Sequence, residues 1–454
     1  MRRACICFLA FLGVFTAYSQ TDDSLMIRKI ADEVLVNGKA YENLRYLTKK
    51  IGARLSGSSG MVKAEQWGLK VMSESGADKS SLQQCMVPHW VRGGVDELKI
   101  TNGPLKNKNL AVAALGNSTG TGPKGINASV IEIKSFDDLE AKKDQVKGKI
   151  VFYNYKFNPK LIKTFEAYGD AVIYRYIGPM RAAKYGAVAV IVRSMTHSVD
   201  NNPHTGATAS GDTIPKIPSM AIGLWDADIL HDQLQKSTVN VFYKTNAHFL
   251  PDTIGHSVIG ELKGSESDEI ITVGGHIDSW DLAEGAHDDG AGIVQTIEIL
   301  RTLKAIGYKP KHTIRFVLFA NEENGLRGGE KYAEEAKAKN EKHLFALESD
   351  AGGFTPRAFS FGGSEEQMKK VQSWIPLLFP YGVYEIANGG GGADVGPIAE
   401  TFKIPSAELI PDNQRYFDYH HAKNDVLENV NKRELELGAI NMAAFIYLID
   451  KYGL

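Results

Sequence analysis

The sequence predicts an α/β protein: a mostly parallel sheet covered by helices on both faces, with a mostly-β unit inserted into it. Three observations carry that expectation. From Ile254 onward, strand-like apolar runs alternate with helix-like runs, the pattern of a sheet built from β-α units. Between about Leu115 and Phe249 the pattern changes to short β runs punctuated by Gly, Pro and Asn. A chain of 454 residues is also longer than one ordinary domain.

In chain order, Arg2 and Arg3 precede an apolar stretch from Ala4 to Ala17, and Ala17-Tyr18-Ser19 then offers small residues. Charge, apolar block and small-residue site in that order read as a secretory signal over residues 1–19, removed from the mature protein. Cys5 and Cys7 leave with it, so Cys85 stands alone and no internal disulfide can form. Residues 20–114 read as the N-terminal part of a catalytic domain. They hold helices over Ser24 to Val36, Ala40 to Ile51 and Val62 to Ser73, then short strands at Leu98 to Thr101 and Leu110 to Ala114. Residues 115–249 read as the inserted unit, with β runs at Val130 to Ile133, Ile150 to Tyr153, Val188 to Val192 and Val239 to Tyr243. Residues 250–454 alternate: strands Ile270 to Gly274, Thr313 to Ala320, Phe345 to Leu347 and Pro405 to Leu409, and helices Ala291 to Leu303, Gly328 to Lys339, Glu365 to Trp374 and Glu434 to Leu448.

Composition excludes some classes of partner. A net charge of -2 and a pI near 6.7 give no basic surface for nucleic acid. Beyond the signal, the apolar runs are too short to span a bilayer.

In a parallel sheet, ligands bind beyond the carboxyl ends of the strands. Three of these ends carry metal-capable residues: Gly275-His276-Ile277-Asp278, Asn321-Glu322-Glu323-Asn324 and Glu348-Ser349-Asp350. The turn after the first strand carries His287-Asp288-Asp289-Gly290, and Tyr419-His420-His421 stands near the end of the chain. Carboxylates gathered in one cleft repel, and a cation relieves that repulsion. Histidine and carboxylate without cysteine suit zinc in an open catalytic site. The number of groups suggests two Zn2+ ions. Asp288 is the natural bridge, with His276 and Asp350 for one ion and Glu323 and His421 for the other. Asp278, two residues after His276, is expected to orient the imidazole through its second nitrogen. Glu322, beside a ligand without being needed as one, is the natural general base. His420 reads as a packed neighbour of His421. His204, in a Pro-Asn-Gly loop, reads as a loop residue or a substrate or dimer contact, and the glycine-rich Asn388 to Gly392 loop as a linker or pocket wall. Asn117-Ser118-Thr119 and Asn127-Ala128-Ser129 are glycosylation acceptors if the host glycosylates.

These motifs, in this order and with His421 followed by Asp425, resemble the co-catalytic zinc aminopeptidase and carboxypeptidase family. The longer strings Gly274 to Asp281, Arg54-Leu55-Ser56-Gly57, Pro203-His204-Thr205-Gly206 and Pro215-Lys216-Ile217-Pro218 extend the resemblance over essentially the whole mature chain. The departures are Asn321, where small residues are common, and Ala422-Lys423-Asn424 as the spacer before Asp425. The resemblance implies a phosphorylase/hydrolase-like mixed sheet flanked by helices and identifies the insert with a protease-associated domain. It also implies an exopeptidase acting on dipeptides or short peptides, a homodimer, and a cis peptide bond between Asp288 and Asp289, while the N-terminal signal implies a secreted or periplasmic protein. Three alternatives stay open: an aminopeptidase on longer peptides, a glutaminyl-cyclase-like enzyme with a reduced zinc set, and a receptor-like binding module of the same fold that has lost its metals.

Overall fold

The computed structural model describes residues 22–209, 211 and 214–454. The expected signal, residues 1–19, lies outside the described residues.

The described residues form two eight-stranded sheets. The first runs, edge to edge, Lys79–Val91, His248–Leu262, Thr313–Phe319, Ile270–His276, His343–Glu348, Ser406–Pro411, Pro356–Gly362 and Glu385–Asn388. Its four central strands, from Thr313–Phe319 to Ser406–Pro411, are parallel. On either side the pairing turns antiparallel, so the sheet is mixed. The long arm Lys79–Val91/His248–Leu262 explains one side: the chain leaves the sheet along one strand and returns along its neighbour, which makes the pair antiparallel.

Every residue of Ile270–His276 is buried, as expected for a central strand covered on both faces. Neighbouring Thr313–Phe319 sorts its side chains with period two. Ile314, Phe316 and Leu318 join a large core with helices Ser59–Glu74, Ala291–Ala305 and Lys432–Tyr452. Val317 and Phe319 face the other way, toward helices Arg327–Ala338 and Gly396–Phe402. Asn431 caps the long C-terminal helix by accepting from the N–H groups of Arg433 and Glu434.

The second sheet has the order Asn109–Leu110, Glu97–Ile100, Asn240–Lys244, Ile126–Ile133, Ile150–Tyr153, Ala189–Arg193, Ser219–Ile222 and Val112–Ala114. Helices Phe136–Ala141, Thr164–Tyr176, Gly178–Lys184 and Leu224–Leu234 accompany it, so this unit is mixed rather than mostly β. It also begins upstream of residue 115. Glu97–Ile100 pairs with Asn240–Lys244, and Val112–Ala114 with Ser219–Ile222. Partners more than 100 residues away are invisible to a local reading of those short strands.

The two units share a seam. Phe354, Tyr416, Phe417 and Tyr419 of the catalytic part pack into the insert's core with Phe157 and Tyr174. Among the described residues, no helix is long and apolar enough to cross a membrane.

Candidate metal centre

The parallel strands bring their carboxyl ends to one edge of the sheet. His276 lies opposite Phe319, and Gly274 opposite Glu348. Glu322 and Glu323 therefore emerge beside His276 on one side and Asp350 on the other. The chain is turned toward that edge at Asn321, which has φ 65°. Asn tolerates this left-handed region better than most residues, which accounts for its presence where small residues are common. Asp288 arrives from the segment that opens helix Ala291–Ala305, and its peptide bond to Asp289 is cis, as expected. His420 and His421 follow the helical turn Tyr416–Tyr419.

Asp288 stands between two groups of side chains. His276 Nε2 is 3.3 Å from Asp288 Oδ1, 3.3 Å from Asp350 Oδ1 and 3.9 Å from Glu322 Oε2. His421 Nε2 is 3.3 Å from Asp288 Oδ2 and 3.1 Å from Glu323 Oε2. One carboxylate oxygen thus faces each half. His276 Nε2, Asp288 Oδ2 and Asp350 Oδ1 are buried and make no hydrogen bond among the described residues. Buried polar atoms are nearly always satisfied, and such orphans on both sides of Asp288, two toward His276 and one toward His421, fit bound cations. Ligating atoms of His276, Asp289 and Asp350, and those of Asp288, His420 and His421, also fall within 4.8 Å of one another. Asp289 is already engaged, accepting from the N–H groups of His276 (3.0 Å) and Gly292 (2.9 Å), so it braces the site. His420 Nε2 is 3.8 Å from Asp288 Oδ2, farther than that of His421, and its ring stacks on His421 with centroids 3.5 Å apart.

Electrostatics agree with this reading. Burial alone would lower the basicity of His421, but the Glu323 and Asp288 carboxylates outweigh it and push the imidazole up to about 10. For His276 burial is likewise outweighed, by Asp350 and Asp288, and the shift is upward. Burial and the Asp288 charge raise Glu323 to about 7. The protein's own compensation for these carboxylates is to hold protons on both histidines. Divalent cations would take that place.

Residues 257–446 match the profile of Peptidase family M28. The chain is 33% identical to carboxypeptidase Q of Homo sapiens over 429 residues, 93% of this chain and 88% of that protein. The crystal structure of a Peptidase M28 precursor from Shewanella amazonensis superposes with a TM-score of 0.90 at 31% identity, covering 95% of this chain and 97% of that one. The chain belongs to peptidase family M28. A zinc aminopeptidase from Bacillus subtilis, with a TM-score of 0.66 at 22% identity over 90% of this chain and 94% of that one, shares the fold.

In this M28 peptidase one expected contact is replaced. His276 Nδ1 donates to the backbone carbonyl of Asp278 at 3.1 Å, while the Asp278 carboxylate lies 3.7 Å away. The carbonyl is the nearer acceptor and takes the proton. The carboxylate instead accepts from the Glu322 N–H at 3.0 Å and from Ser56 Oγ at 3.3 Å. Asp278 therefore orders the Glu322 segment.

Further supports were not legible as such in the sequence. Asp425 accepts from the N–H groups of His287 (2.7 Å) and Asp288 (3.1 Å), fixing the turn that presents Asp288. Arg54, fully buried, donates to the carbonyls of Ile277, Glu284 and Gly285. Both belong to motifs that carried the resemblance, but their roles depend on contacts across the fold. The glycine-rich Asn388 to Gly392 loop closes on Glu348: a side chain at Gly392 would meet the Glu348 carboxylate at 2.5 Å.

A cavity of about 650 Å³ opens onto the cluster, lined by Glu322, Asp350 and Tyr416 and by Tyr168, Arg175 and Ala207 of the insert. A hollow of about 800 Å³ lies at the opposite ends of the strands, around Arg315. That guanidinium is already paired with Glu261 and Glu341, and the metal-type groups are at the other edge.

Proposed function

We propose that this M28 peptidase is an exported di-zinc exopeptidase that hydrolyses dipeptides and other short peptides, with Glu322 as general base. The observation that carries the reading is the position of Asp288: Oδ1 faces His276 and Oδ2 faces His421, with Asp350 and Glu323 completing the two sides. His276, Asp288 and Asp350 would hold one ion, and Asp288, Glu323 and His421 the other.

Zinc, when bound, supplies Lewis acidity: it polarises the scissile carbonyl and lowers the pKa of an attacking water to about 7. Glu322 accepts the proton from that water and passes it to the leaving amine. Its carboxyl lies in the cavity wall, and burial pushes its pKa well above the ordinary carboxylate range, making it a stronger proton acceptor than a free carboxylate. Asp278 keeps Glu322 in register by accepting from its N–H. In the same cavity Arg175 is nearly buried, and its Nε makes no hydrogen bond among the described residues. Its Nη1 and Nη2 already donate to Thr205 and Tyr168, so its charge, rather than a free donor, would favour the terminal carboxylate of a short peptide. The insert, which contributes Arg175, is taken as a protease-associated domain, the N-terminal segment as an export signal and the assembly as a homodimer.

Dipeptides unblocked, N-blocked and C-blocked, assayed with and without a chelator, test this function. Unblocked dipeptides should be cleaved, C-blocked ones poorly, and chelator should abolish all turnover. Preference for long peptides regardless of the carboxyl end would favour an aminopeptidase. Purified protein that holds no zinc and cleaves nothing would favour a receptor-like module.

A further inference from the structure

The Pro203-His204-Thr205-Gly206 string takes no part in the chemistry above, yet it lies against one half of the metal centre. His204 is 4% exposed although it sits in an irregular loop of the insert. Its Nδ1 is 2.8 Å from the carbonyl of His420, so this nitrogen carries the proton and donates. Thr205, fully buried, is bonded twice to His421. Its N–H donates to the His421 carbonyl at 3.0 Å, and its own carbonyl lies 3.2 Å from His421 Nδ1. The loop is anchored in turn: Thr205 Oγ1 donates to the carbonyl of Ala114 at 2.8 Å, and Arg175 Nη1 donates to the Thr205 carbonyl at 3.2 Å. His421 is held at φ 60°, a region that residues other than Gly adopt only where the surroundings favour it.

We propose that His204 and Thr205 are positioning residues for the His421–Glu323 half of the metal centre, so that the insert controls occupancy of that half. The carbonyl of Thr205, at 3.2 Å, is nearer to His421 Nδ1 than Arg175 Nη1, at 3.4 Å, and so favours a proton on that nitrogen. That leaves the Nε2 lone pair free, aimed at Glu323 and Asp288. His204 secures the preceding carbonyl and so the backbone turn that carries the ring. The other half is built differently. His276 Nδ1 is satisfied by the Asp278 carbonyl two residues along its own segment, and Asp289 holds its N–H. One metal pair is thus framed by the catalytic sheet and the other is completed by the insert. Loosening the Pro203–Gly206 loop would empty the second without emptying the first.

The proposal rests on the two-metal reading. Its test is zinc binding by competition against a chromogenic chelator, for the wild-type chain and the variants His204→Leu and His204→Asn. Leu removes the donor, whereas Asn retains an amide donor near the position of Nδ1. In His204→Leu one of the two zinc affinities should fall about 10–100-fold, the range for losing a group that orients a metal ligand, with the other unchanged. His204→Asn should recover most of it. Unchanged affinities in His204→Leu, or an equal fall in both, would overturn the clamp. Should His204→Leu fail to fold, His204→Asn against His204→Gln carries the test: similar weakening in both would overturn it. Amide exchange in the zinc-free chain gives a metal-independent reading. The Thr205 N–H should exchange at least 10-fold faster in His204→Leu, with strand Ile270–His276 unchanged, and equal Thr205 protection would overturn the clamp. A wild-type chain that binds fewer than two zinc ions refutes the two-metal reading instead, and the exchange comparison still decides the clamp.

Discussion

Asp288 is the residue that both halves of the centre share. His276, beside Asp350, lies nearest its Oδ1, and His421, beside Glu323, nearest its Oδ2. Asp288→Ala should therefore cost both metals, whereas His276→Ala or His421→Ala should weaken mainly one. Metal analysis of the purified variants checks this, and one zinc retained at full occupancy in Asp288→Ala would contradict the bridge. Glu322 differs from its neighbour Glu323. It is 3.9 Å from His276 Nε2, beyond the contacts of the ligand set, and lines the cavity. Glu322→Gln preserves size and hydrogen bonding but cannot accept a proton. It should keep the fold and the zinc while turnover falls ~10²- to 10⁴-fold. Wild-type-like turnover in a zinc-loaded Glu322→Gln protein would remove the residue from the mechanism.

The strands that deliver these residues are held in place at their opposite ends. Glu341, just ahead of strand His343–Glu348, makes two hydrogen bonds with Arg315 of strand Thr313–Phe319, at 2.7 and 3.1 Å. Both flank Ile270–His276, so this pair ties the outer strands around the one that carries His276. Burial alone would raise the Glu341 carboxyl. Hydrogen bonds from His343 and Arg315 outweigh it and hold the carboxyl down at about 2. A carboxyl depressed in the folded state adds stability above its unfolded pKa, near 4.5, and loses it as pH falls toward the folded value. Glu341→Gln should thus be less stable than wild type at pH 7, with the gap closing between about pH 4.5 and 2. Denaturant midpoints across that range measure it, and a gap independent of pH would show that the pair adds nothing through its charge.

Across the whole molecule, the centre is a place where the fold gathers buried acids. Asp278, Asp288, Asp289, Glu323, Glu348, Asp394 and Asp425 are all buried around the strand ends, and both oxygens of Asp394 make no hydrogen bond among the described residues. Such a cluster is costly without cations. Removing zinc should lower the thermal midpoint, and adding it back should restore it. A ligand bound only by the folded state adds about 2.7 kcal/mol at a free concentration 100-fold above its Kd. Scanning calorimetry with and without chelator follows the change, and identical midpoints would mean that the acids are compensated in some other way. The insert takes part in this assembly through the aromatic seam of Tyr416, Phe417 and Tyr419 with Phe157 and Tyr174.

Much of this was legible before any coordinates. Central strands such as Ile270–His276 announce themselves as short apolar runs, because a strand covered on both faces must be apolar throughout. His276, Glu322, Glu323 and Asp350 could be assembled from the chain alone, because parallel strands necessarily place their carboxyl ends together. Pairings remote in sequence were out of reach. Glu97–Ile100 and Val112–Ala114 look like parts of the catalytic domain until their distant partners are seen. The choice between the carbonyl and the carboxylate of Asp278 as partner of His276 turned on about half an ångström, 3.1 against 3.7 Å. The grip of His204 and Thr205 on His421 joins residues more than 200 positions apart. Side-chain pattern encodes which residues are buried and at which strand ends they emerge. Which backbone group meets which ring depends on how two packed units settle against each other, and no local period records that.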